Sequence, residues 1–250
     1  MFGKDKEDPK LEVHHDKMIG SGAEGGVFLG CLGNRNVAVK RARSGTTAHE
    51  ARMLRLCKSA FAVGLLLEVP GASALDLLKP VKGPVEGHVK THLAELFIGL
   101  AYIHQKGVVH RNLKLENILQ NSSGHLKLSD FGGAGAHFST AWGVGSFKSW
   151  SPELHVLPCV GYDGRQADVW AAGVCSHELL CGLYPFRGRS ALEKQKGITL
   201  CEMRSKILAG PMRRDPDLEG FGCGFLTAAV LMTNPKTRPT ASWVSVNWMR

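Results

Sequence analysis

The spacing of apolar residues changes along this chain, from strand-like runs at the start to helical periodicity later. Residues 27–29 and 37–39 are short apolar runs on either side of a Gly-Asn-Arg-Asn turn, a pattern that predicts a β-hairpin. Residues 46–57 predict a helix, and residues 63–69 predict a further strand, closed by Pro70-Gly71. The first part of the chain is therefore expected to be rich in strands.

Helical spacing dominates the rest of the chain. Within residues 88–105, apolar side chains recur at intervals of three and four, which is typical of a helix facing a core. These side chains are Leu93, Leu96, Phe97, Leu100 and Ile103. Further helices are predicted at residues 167–181, 200–209 and 221–232.

Strands followed by helices, with a break near Pro70, predict an α+β fold of two lobes around a cleft. Residues 1–12 are charged and are expected to form a flexible lead-in. We expect a small strand-rich lobe at residues 13–69 and a larger helical lobe at residues 70–250.

Composition narrows the class of protein. A hydrophobic content of 44% and a charged content of 21% are those of an ordinary globular protein. No stretch approaches the roughly 20 apolar residues of a membrane span. The N-terminus lacks the apolar run of a signal peptide. These features predict an intracellular protein, cytoplasmic or nuclear, without a membrane span.

Charge and cysteine content add less. The net charge of +9 permits acidic or phosphate-rich partners, but the basic residues are dispersed, so nucleic acid is not indicated. The seven cysteines are scattered and include no C-x-x-C pair, which favours reduced thiols in the core over a metal site or disulfides. The oligomeric state stays open.

A glycine-rich segment offers the first candidate chemistry. Gly20-Ser21-Gly22-Ala23-Glu24-Gly25-Gly26-Val27 has the spacing G-x-G-x-x-G-x-V, and its glycines allow backbone N–H groups to approach phosphate oxygens. A second strand follows it rather than a helix, which argues against a dinucleotide-binding fold. One hairpin later, the run Val37-Ala38-Val39-Lys40 ends in a lysine that could reach back toward the phosphates.

Later motifs follow in a consistent order. They are His110-Arg111-Asn112-Leu113-Lys114-Leu115-Glu116-Asn117, Ser129-Asp130-Phe131-Gly132, Ser151-Pro152-Glu153, Asp168-Val169-Trp170 and a final arginine, Arg238. With these motifs, which extend from residue 18 to residue 240, the chain resembles the eukaryotic-type protein kinases. Lys114, two residues after Asn112, corresponds to the serine/threonine form of that family.

The resemblance implies ATP and Mg²⁺ (or Mn²⁺) as cofactors. It assigns Asn117 and Asp130 to the metal, with Asn112, Lys114, Asp130 and Lys40 as the catalytic set. The nucleotide-binding set is Gly20, Ser21, Gly22, Gly25, Val27, Ala38, Lys40, Glu50, Glu68, Val69 and Leu119. Within it, Glu50 would hold Lys40, and the backbone of Glu68 and Val69 would meet adenine. Asp168 and a Glu153–Arg238 pair are expected to be structural.

Two features depart from the family. Asn112 stands where the family has its catalytic aspartate, and an amide cannot act as a base near neutral pH. Losing general-base catalysis typically lowers the rate by about 10²–10⁴-fold. Phosphoryl transfer depends more on positioning and metal electrostatics, so activity is expected to be weakened. Only ten positions separate Lys40 from Glu50, and eighteen separate Glu50 from Glu68. Either the helix that carries Glu50 is stunted or a strand is missing, which would weaken control of the Lys40–Glu50 pair, or the lobe is trimmed but still works.

Three functions remain open. The preferred one is an ATP-binding serine/threonine kinase with weak phosphotransfer to a protein substrate. The second is an inactive pseudokinase that binds a regulated protein as a scaffold or competitor. A small-molecule kinase is less favoured, because Ser151-Pro152-Glu153 resembles a platform for peptide substrates. Arg111 could read a phosphate on the segment before Ser151, but the absence of such regulation is an equal alternative.

Overall fold

A computed structural model gives the fold of the chain. It describes residues 10–22, 25–32, 35–42, 46–57, 66–68, 72–73, 86–120, 124–139, 144–156, 161–187, 198–210 and 224–248. A strand-rich N-terminal region precedes a helical C-terminal region, which confirms the α+β bilobal fold. The boundary between residues 69 and 70 stays a prediction, because both residues lie outside this described part.

The N-terminal region is one antiparallel sheet with a helix. Its strands β1 (Leu11–Gly22), β2 (Gly25–Leu32), β3 (Arg35–Ala42) and β4 (Leu66–Glu68) lie in the order β1-β2-β3-β4. Helix α1 (Thr46–Leu56) follows β3. The predicted hairpin and the helix at 46–57 are confirmed, and β4 lies within the strand predicted at 63–69. Strand β1 begins at Leu11, so its first two residues fall within the range expected to be a lead-in.

The C-terminal region contains five described helices, which are α2 (Glu86–Gln105), α3 (Gly164–Cys181), α4 (Leu200–Ala209), α5 (Gly224–Val230) and α6 (Ala241–Trp248). The first four lie where helical periodicity predicts them; α5 ends at Val230, two residues before the end of the predicted 221–232, and residues 221–223 lie outside the described part. Helix α6 was not predicted. Short strands connect these helices, and they are β5 (Ala72–Ser73), β6 (Ile118–Gln120), β7 (Leu126–Leu128), β8 (Phe138–Ser139) and β9 (Tyr162–Asp163).

The main core forms around α2. All five of its predicted core residues are buried, so the helical face read from the sequence is confirmed. Phe97 on this helix stacks on Trp248 of α6, with ring centroids 5.3 Å apart. Trp170 of α3 is buried and stacks on Phe186 at 5.4 Å. Burying such aromatic pairs contributes both apolar area and favourable ring geometry.

Helix α3 has its boundaries fixed by its end residues. The Asp163 carboxylate caps the N-terminus of the helix by accepting a hydrogen bond from the Arg165 backbone N–H, a donor that has no partner within the helix. Gly182 ends the helix in the left-handed conformation, at φ 68°. These two residues set where α3, the helix that carries Asp168, begins and ends.

The cysteine prediction holds only in part. Cys57 and Cys175 are buried free thiols, whereas Cys201 is exposed on α4. Cys201 lies on the solvent side of an amphipathic helix, so its expected core position is wrong. Cys159 and Cys223 lie outside the described residues. No helix in the described part of the chain has the length and apolar character needed to cross a membrane.

Candidate active site

Lys40 and Glu50 meet between the sheet and α1. Lys40 near the end of β3 donates to both carboxylate oxygens of Glu50, at 3.0 Å to Oε2 and 3.3 Å to Oε1. The Glu50 side chain is only 4% exposed, so the ion pair is sheltered from water on its acidic side. The structure thus brings together the lysine and glutamate that the motif spacing paired, despite the short interval between them.

Asp130 is the second acidic partner of Lys40. Its Oδ1 atom lies 2.7 Å from Lys40 Nζ. Burial lowers the pKa of Lys40, but the hydrogen bonds and charges of Asp130 and Glu50 outweigh it and raise that pKa well above its usual range. Lys40 therefore stays a cation and joins α1 to the loop that carries Asp130.

Asn112 and Asn117 complete the polar centre. The Asn112 side-chain amide donates from Nδ2 to Oδ2 of Asp130 at 3.2 Å. The Asn117 side-chain amide donates to the Asn112 backbone carbonyl at 2.8 Å. The Asn117 backbone carbonyl accepts from the Ser129 backbone N–H at 2.9 Å. Asn112, Asn117 and Asp130, which the sequence placed together, form one hydrogen-bonded set.

Asp168 accepts hydrogen bonds from the backbone of the loop that carries Asn112. This carboxylate, 1% exposed, accepts from the backbone N–H groups of His110 at 2.7 Å and Arg111 at 2.8 Å. His104 Nε2 lies 3.0 Å from the same carboxylate. Asp168 thus has the positioning contacts expected of a structural residue, and they allow Arg111 to adopt φ 62°, an unusual conformation for a residue other than glycine.

His110 and Phe131 connect this loop to Asp130. His110 Nε2 donates to the Ser129 carbonyl at 2.8 Å, and its ring lies 5.0 Å from that of Phe131. Phe131 is fully buried in the main core. Asp130 therefore follows one anchored residue and precedes another, and its backbone is left-handed, at φ 63° and ψ 68°. Such a backbone persists in a non-glycine residue only where the surroundings enforce it.

The Arg111 side chain is engaged inside the protein. Its Nε donates to the Gly133 carbonyl at 2.5 Å, and its Nη2 donates to the Ala134 carbonyl at 3.1 Å. His49 on α1 also contacts the Ala134 carbonyl, at 2.8 Å. Arg111 thus fixes the segment that follows Asp130, and its possible role in reading a phosphate stays a prediction.

The glycine-rich strands lie above this centre. In the β1–β2 register Gly20 faces Val27, Ser21 faces Gly26 and Gly22 faces Gly25. Residues 23 and 24, which separate the two strands in the sequence, lie outside the described part. Val27 also faces Lys40 across β2 and β3, so the two side chains share one face of the sheet.

The remaining nucleotide-site candidates are placed less completely. Ala38, buried, lies two residues before Lys40 and therefore on the same face. The Glu68 backbone pairs with Val37 at the edge of the sheet, and Val69 lies outside the described residues. Leu119 lies in β6, where it pairs with Lys127. Lys114 is partly buried just before the 3-10 turn Leu115–Asn117.

Glu153 and Arg238 form the expected structural ion pair. The guanidinium donates to both carboxylate oxygens, at 2.7 Å and 2.6 Å. It is fully buried and lies over the Trp170 ring, 5.1 Å from the centroid. Bidentate pairing of this kind fixes orientation as well as charge.

Three contributing residues were missed by sequence reasoning. His49 contacts the segment after Asp130, His104 contacts Asp168, and Ser129 joins Asn117 to His110. The only signal in the sequence is that each is adjacent to a motif or within a predicted helix, which is too weak to assign a contact. Among the described residues no cluster of three histidine, cysteine or acidic side chains could hold a metal by itself.

Comparison with known proteins gives the family of this arrangement. Residues 51–249 match the protein kinase domain family, beginning one residue after Glu50. The chain is 29% identical over 199 residues to sperm motility kinase Z of Mus musculus, covering 76% of this chain and 36% of that protein. It is 30% identical over 202 residues to CBL-interacting protein kinase 31 of Oryza sativa subsp. japonica, covering 77% and 42% respectively.

A third relative has a similar extent. The chain is 30% identical over 215 residues to CBL-interacting serine/threonine-protein kinase 1 of Arabidopsis thaliana, covering 81% of this chain and 45% of that protein. The chain thus spans less than half the length of each of these three curated relatives.

Proposed function

This chain belongs to the protein kinase domain family, and from that premise we propose that it binds ATP with Mg²⁺ or Mn²⁺ in its cleft. We propose further that it transfers the γ-phosphate slowly to serine or threonine of a protein substrate. The observation that carries this proposal is the contact of Lys40 with Glu50 at 3.0 Å and with Asp130 at 2.7 Å. A kinase needs this lysine–glutamate pair and the metal-binding aspartate in place together.

The donor atoms suit a hard divalent cation. Asp130 supplies a carboxylate, and Asn117 supplies an amide whose nitrogen already donates to the Asn112 carbonyl, so its oxygen is the atom suited to a cation. Mg²⁺ is commonly held by one or two such protein oxygens together with substrate phosphates. When bound, the cation would neutralise charge that develops on the transferred phosphate.

Residues of both lobes would hold the nucleotide. The backbone of Gly20, Ser21, Gly22 and Gly25 would approach the phosphates, and Lys40 would hold the α- and β-phosphates. Lys114 would meet the γ-phosphate. Val27 and Ala38, on the face of the sheet shared with Lys40, would cover adenine from above, with Leu119 beneath and the backbone of Glu68 and Val69 at its edge.

Asn112 is the reason to expect slow transfer. The oxygen of its amide can accept a hydrogen bond from a substrate hydroxyl but cannot take the proton, so the general-base contribution of about 10²–10⁴-fold is lost. Positioning by Lys40, Lys114 and the metal ligands retains the larger part of the catalysis, because the transition state of phosphoryl transfer is loose.

A γ-phosphate transfer assay on a generic basic protein substrate tests this proposal, with Mg²⁺ and then Mn²⁺. We expect slow transfer by the wild type, abolition in Lys40→Met, and a gain of about 10²-fold or more in Asn112→Asp. ATP binding, followed by thermal shift, runs beside it as a control. ATP binding without transfer from either wild type or Asn112→Asp would overturn the kinase activity and leave nucleotide binding standing.

The second candidate is a pseudokinase that acts through a protein partner. The Asn112 amide favours it, because Nδ2 is engaged with Asp130 rather than directed to a substrate hydroxyl. Phosphotransfer that is absent in the wild type but clear in Asn112→Asp would support this alternative, since one residue would then account for the inactivity of the wild type. Transfer by the wild type that Lys40→Met abolishes would exclude it.

A further inference from the structure

The Asp130 carboxylate is held at both oxygens by side chains of this protein. Oδ1 accepts from Lys40 Nζ at 2.7 Å, and Oδ2 accepts from Asn112 Nδ2 at 3.2 Å. The Asp130 side chain is 24% exposed and Lys40 is 19% exposed, so both lie partly screened from water. The atoms that would bind a cation therefore already have donors.

Asn112 is itself fixed in position. Its backbone carbonyl accepts from the Asn117 amide at 2.8 Å, and its N–H points to His110 Nδ1 at 3.4 Å. The Asn112 side chain thus reaches Asp130 from a backbone that is fixed by contacts at both its carbonyl and its N–H. An aspartate at position 112 would put a second carboxylate about 3 Å from Asp130, where like charges repel unless a proton or a cation lies between them.

We propose that Asn112 is a positioning residue that holds Asp130 in place of a divalent cation. Nucleotide binding by this chain then depends less on Mg²⁺ than it would with aspartate at position 112. The inference rests on the nucleotide binding proposed above. It gives Asn112 a function of its own, in addition to the loss of a base: the amide supplies the donor that keeps the cleft assembled without metal.

The physical reason is competition for one oxygen. A cation that binds Asp130 through Oδ2 shares the electron density of that oxygen with the Asn112 N–H and weakens or displaces a hydrogen bond to a charged group, which lowers cation affinity by about tenfold. Leucine at position 112 has nearly the shape of asparagine but no donor, so it removes this competition. Aspartate removes it and adds a negative charge that attracts the cation and repels metal-free nucleotide.

The test measures ADP affinity by calorimetry in excess Mg²⁺ and again in EDTA, for wild type, Asn112→Leu and Asn112→Asp. The quantity of interest is the dissociation constant of ADP in EDTA divided by its dissociation constant in excess Mg²⁺, called here the Mg²⁺ ratio. We expect the smallest ratio for the wild type, a ratio about tenfold larger for Asn112→Leu, and the largest for Asn112→Asp. Asn112→Ala replaces the leucine variant if thermal unfolding shows that leucine is not tolerated.

The matched control is Asn247→Asp, which makes the same chemical change on α6. It should leave the Mg²⁺ ratio at the wild-type value, which separates contact with Asp130 from a general change in protein charge. A second readout uses Mn²⁺ alone without nucleotide, followed by the loss of its free electron paramagnetic resonance signal. Mn²⁺ affinity should rise in the order wild type, Asn112→Leu, Asn112→Asp.

The outcomes separate this inference from the proposed function. ADP binding with equal Mg²⁺ ratios, within about twofold, in all three proteins overturns the positioning role but leaves nucleotide binding intact. A larger ratio in the wild type than in Asn112→Asp also overturns it. Absence of ADP binding under every condition overturns both the inference and the function on which it rests.

Discussion

Arg238 and Glu153 form an ion pair in which the cation is buried and the anion is partly exposed, at 0% and 16% of their side-chain surfaces. Glu153→Gln would keep the shape but leave the guanidinium buried without its counter-charge. Removing one partner of a buried pair costs about 3–5 kcal/mol. We expect the lower end here, about 3 kcal/mol, because Arg238 also donates to the carbonyls of Met232 and Thr233. Urea denaturation measures the loss.

The exposed pair of Arg165 and Asp163 is the matched control. Arg165 is 47% exposed, and pairs of this kind contribute about 0–1 kcal/mol. Arg165→Met should therefore change the free energy of unfolding by less than about 1 kcal/mol and leave the Asp163 helix cap in place. Equal losses in Glu153→Gln and Arg165→Met would show that burial does not set the worth of the Arg238 pair.

Single residues of the candidate site differ in how far the sequence could place them. The resemblance to protein kinases could pair Lys40 with Glu50 and name Asp130, because Lys40 and Asp130 stand in recognisable motifs and Glu50 lies in the helix predicted between them. It could not predict that Asn112 binds Asp130. That contact depends on the left-handed backbone of Asp130 and on the bracing of position 112 by Asn117, which are tertiary features.

At the level of elements, α3 carries an acidic side chain that titrates near neutrality. Burial and the charge of Glu116, opposed by Lys148, raise the pKa of Glu178 from 4.5 to about 7. Because the folded state favours the protonated form, its contribution to stability is full below pH 4.5 and is lost as the pH rises through 7. Glu178→Gln should match the wild type near pH 4.5 and exceed it by as much as about 3 kcal/mol at pH 8.

Chemical denaturation across pH 4.5–8 measures this difference. Glu116→Gln is the control from the facing loop: it removes the like charge, so the pKa of Glu178 should fall and the loss of stability should shift to lower pH. A difference between Glu178→Gln and wild type that stays constant with pH would contradict a raised pKa for this carboxylate.

Elements also show which signals in a sequence suffice. The spacing of Leu93, Phe97 and Leu100 identified α2, because a long amphipathic helix repeats its apolar face several times. Helix α6 (Ala241–Trp248) has only eight residues, with two valines and two tryptophans, which are weak helix formers. Its helical state comes from packing on α2 rather than from local preference, so the sequence alone did not indicate it.

Considered as a whole molecule, the helical region is closed by the contact between its first and last described helices. Phe97 of α2 and Trp248 of α6 are both buried and stack at an interplanar angle of 21°. Contacts between helices so distant in sequence are expected to form late in folding and to contribute to the cooperativity of the domain.

Trp248→Ala should therefore destabilise the entire region rather than α6 alone. It would leave a cavity against Phe97 and cost about 3–5 kcal/mol. Trp248→Phe keeps a ring there and removes the indole N–H, which is buried without a hydrogen-bond partner among the described residues, so its cost should be below about 1.5 kcal/mol. Hydrogen exchange distinguishes destabilisation of the whole region from destabilisation of α6 alone: Trp248→Ala should reduce the protection of backbone amides in α2 and α3 together. Loss confined to α6 would mean that this helix is an appendage and that the core is closed without it.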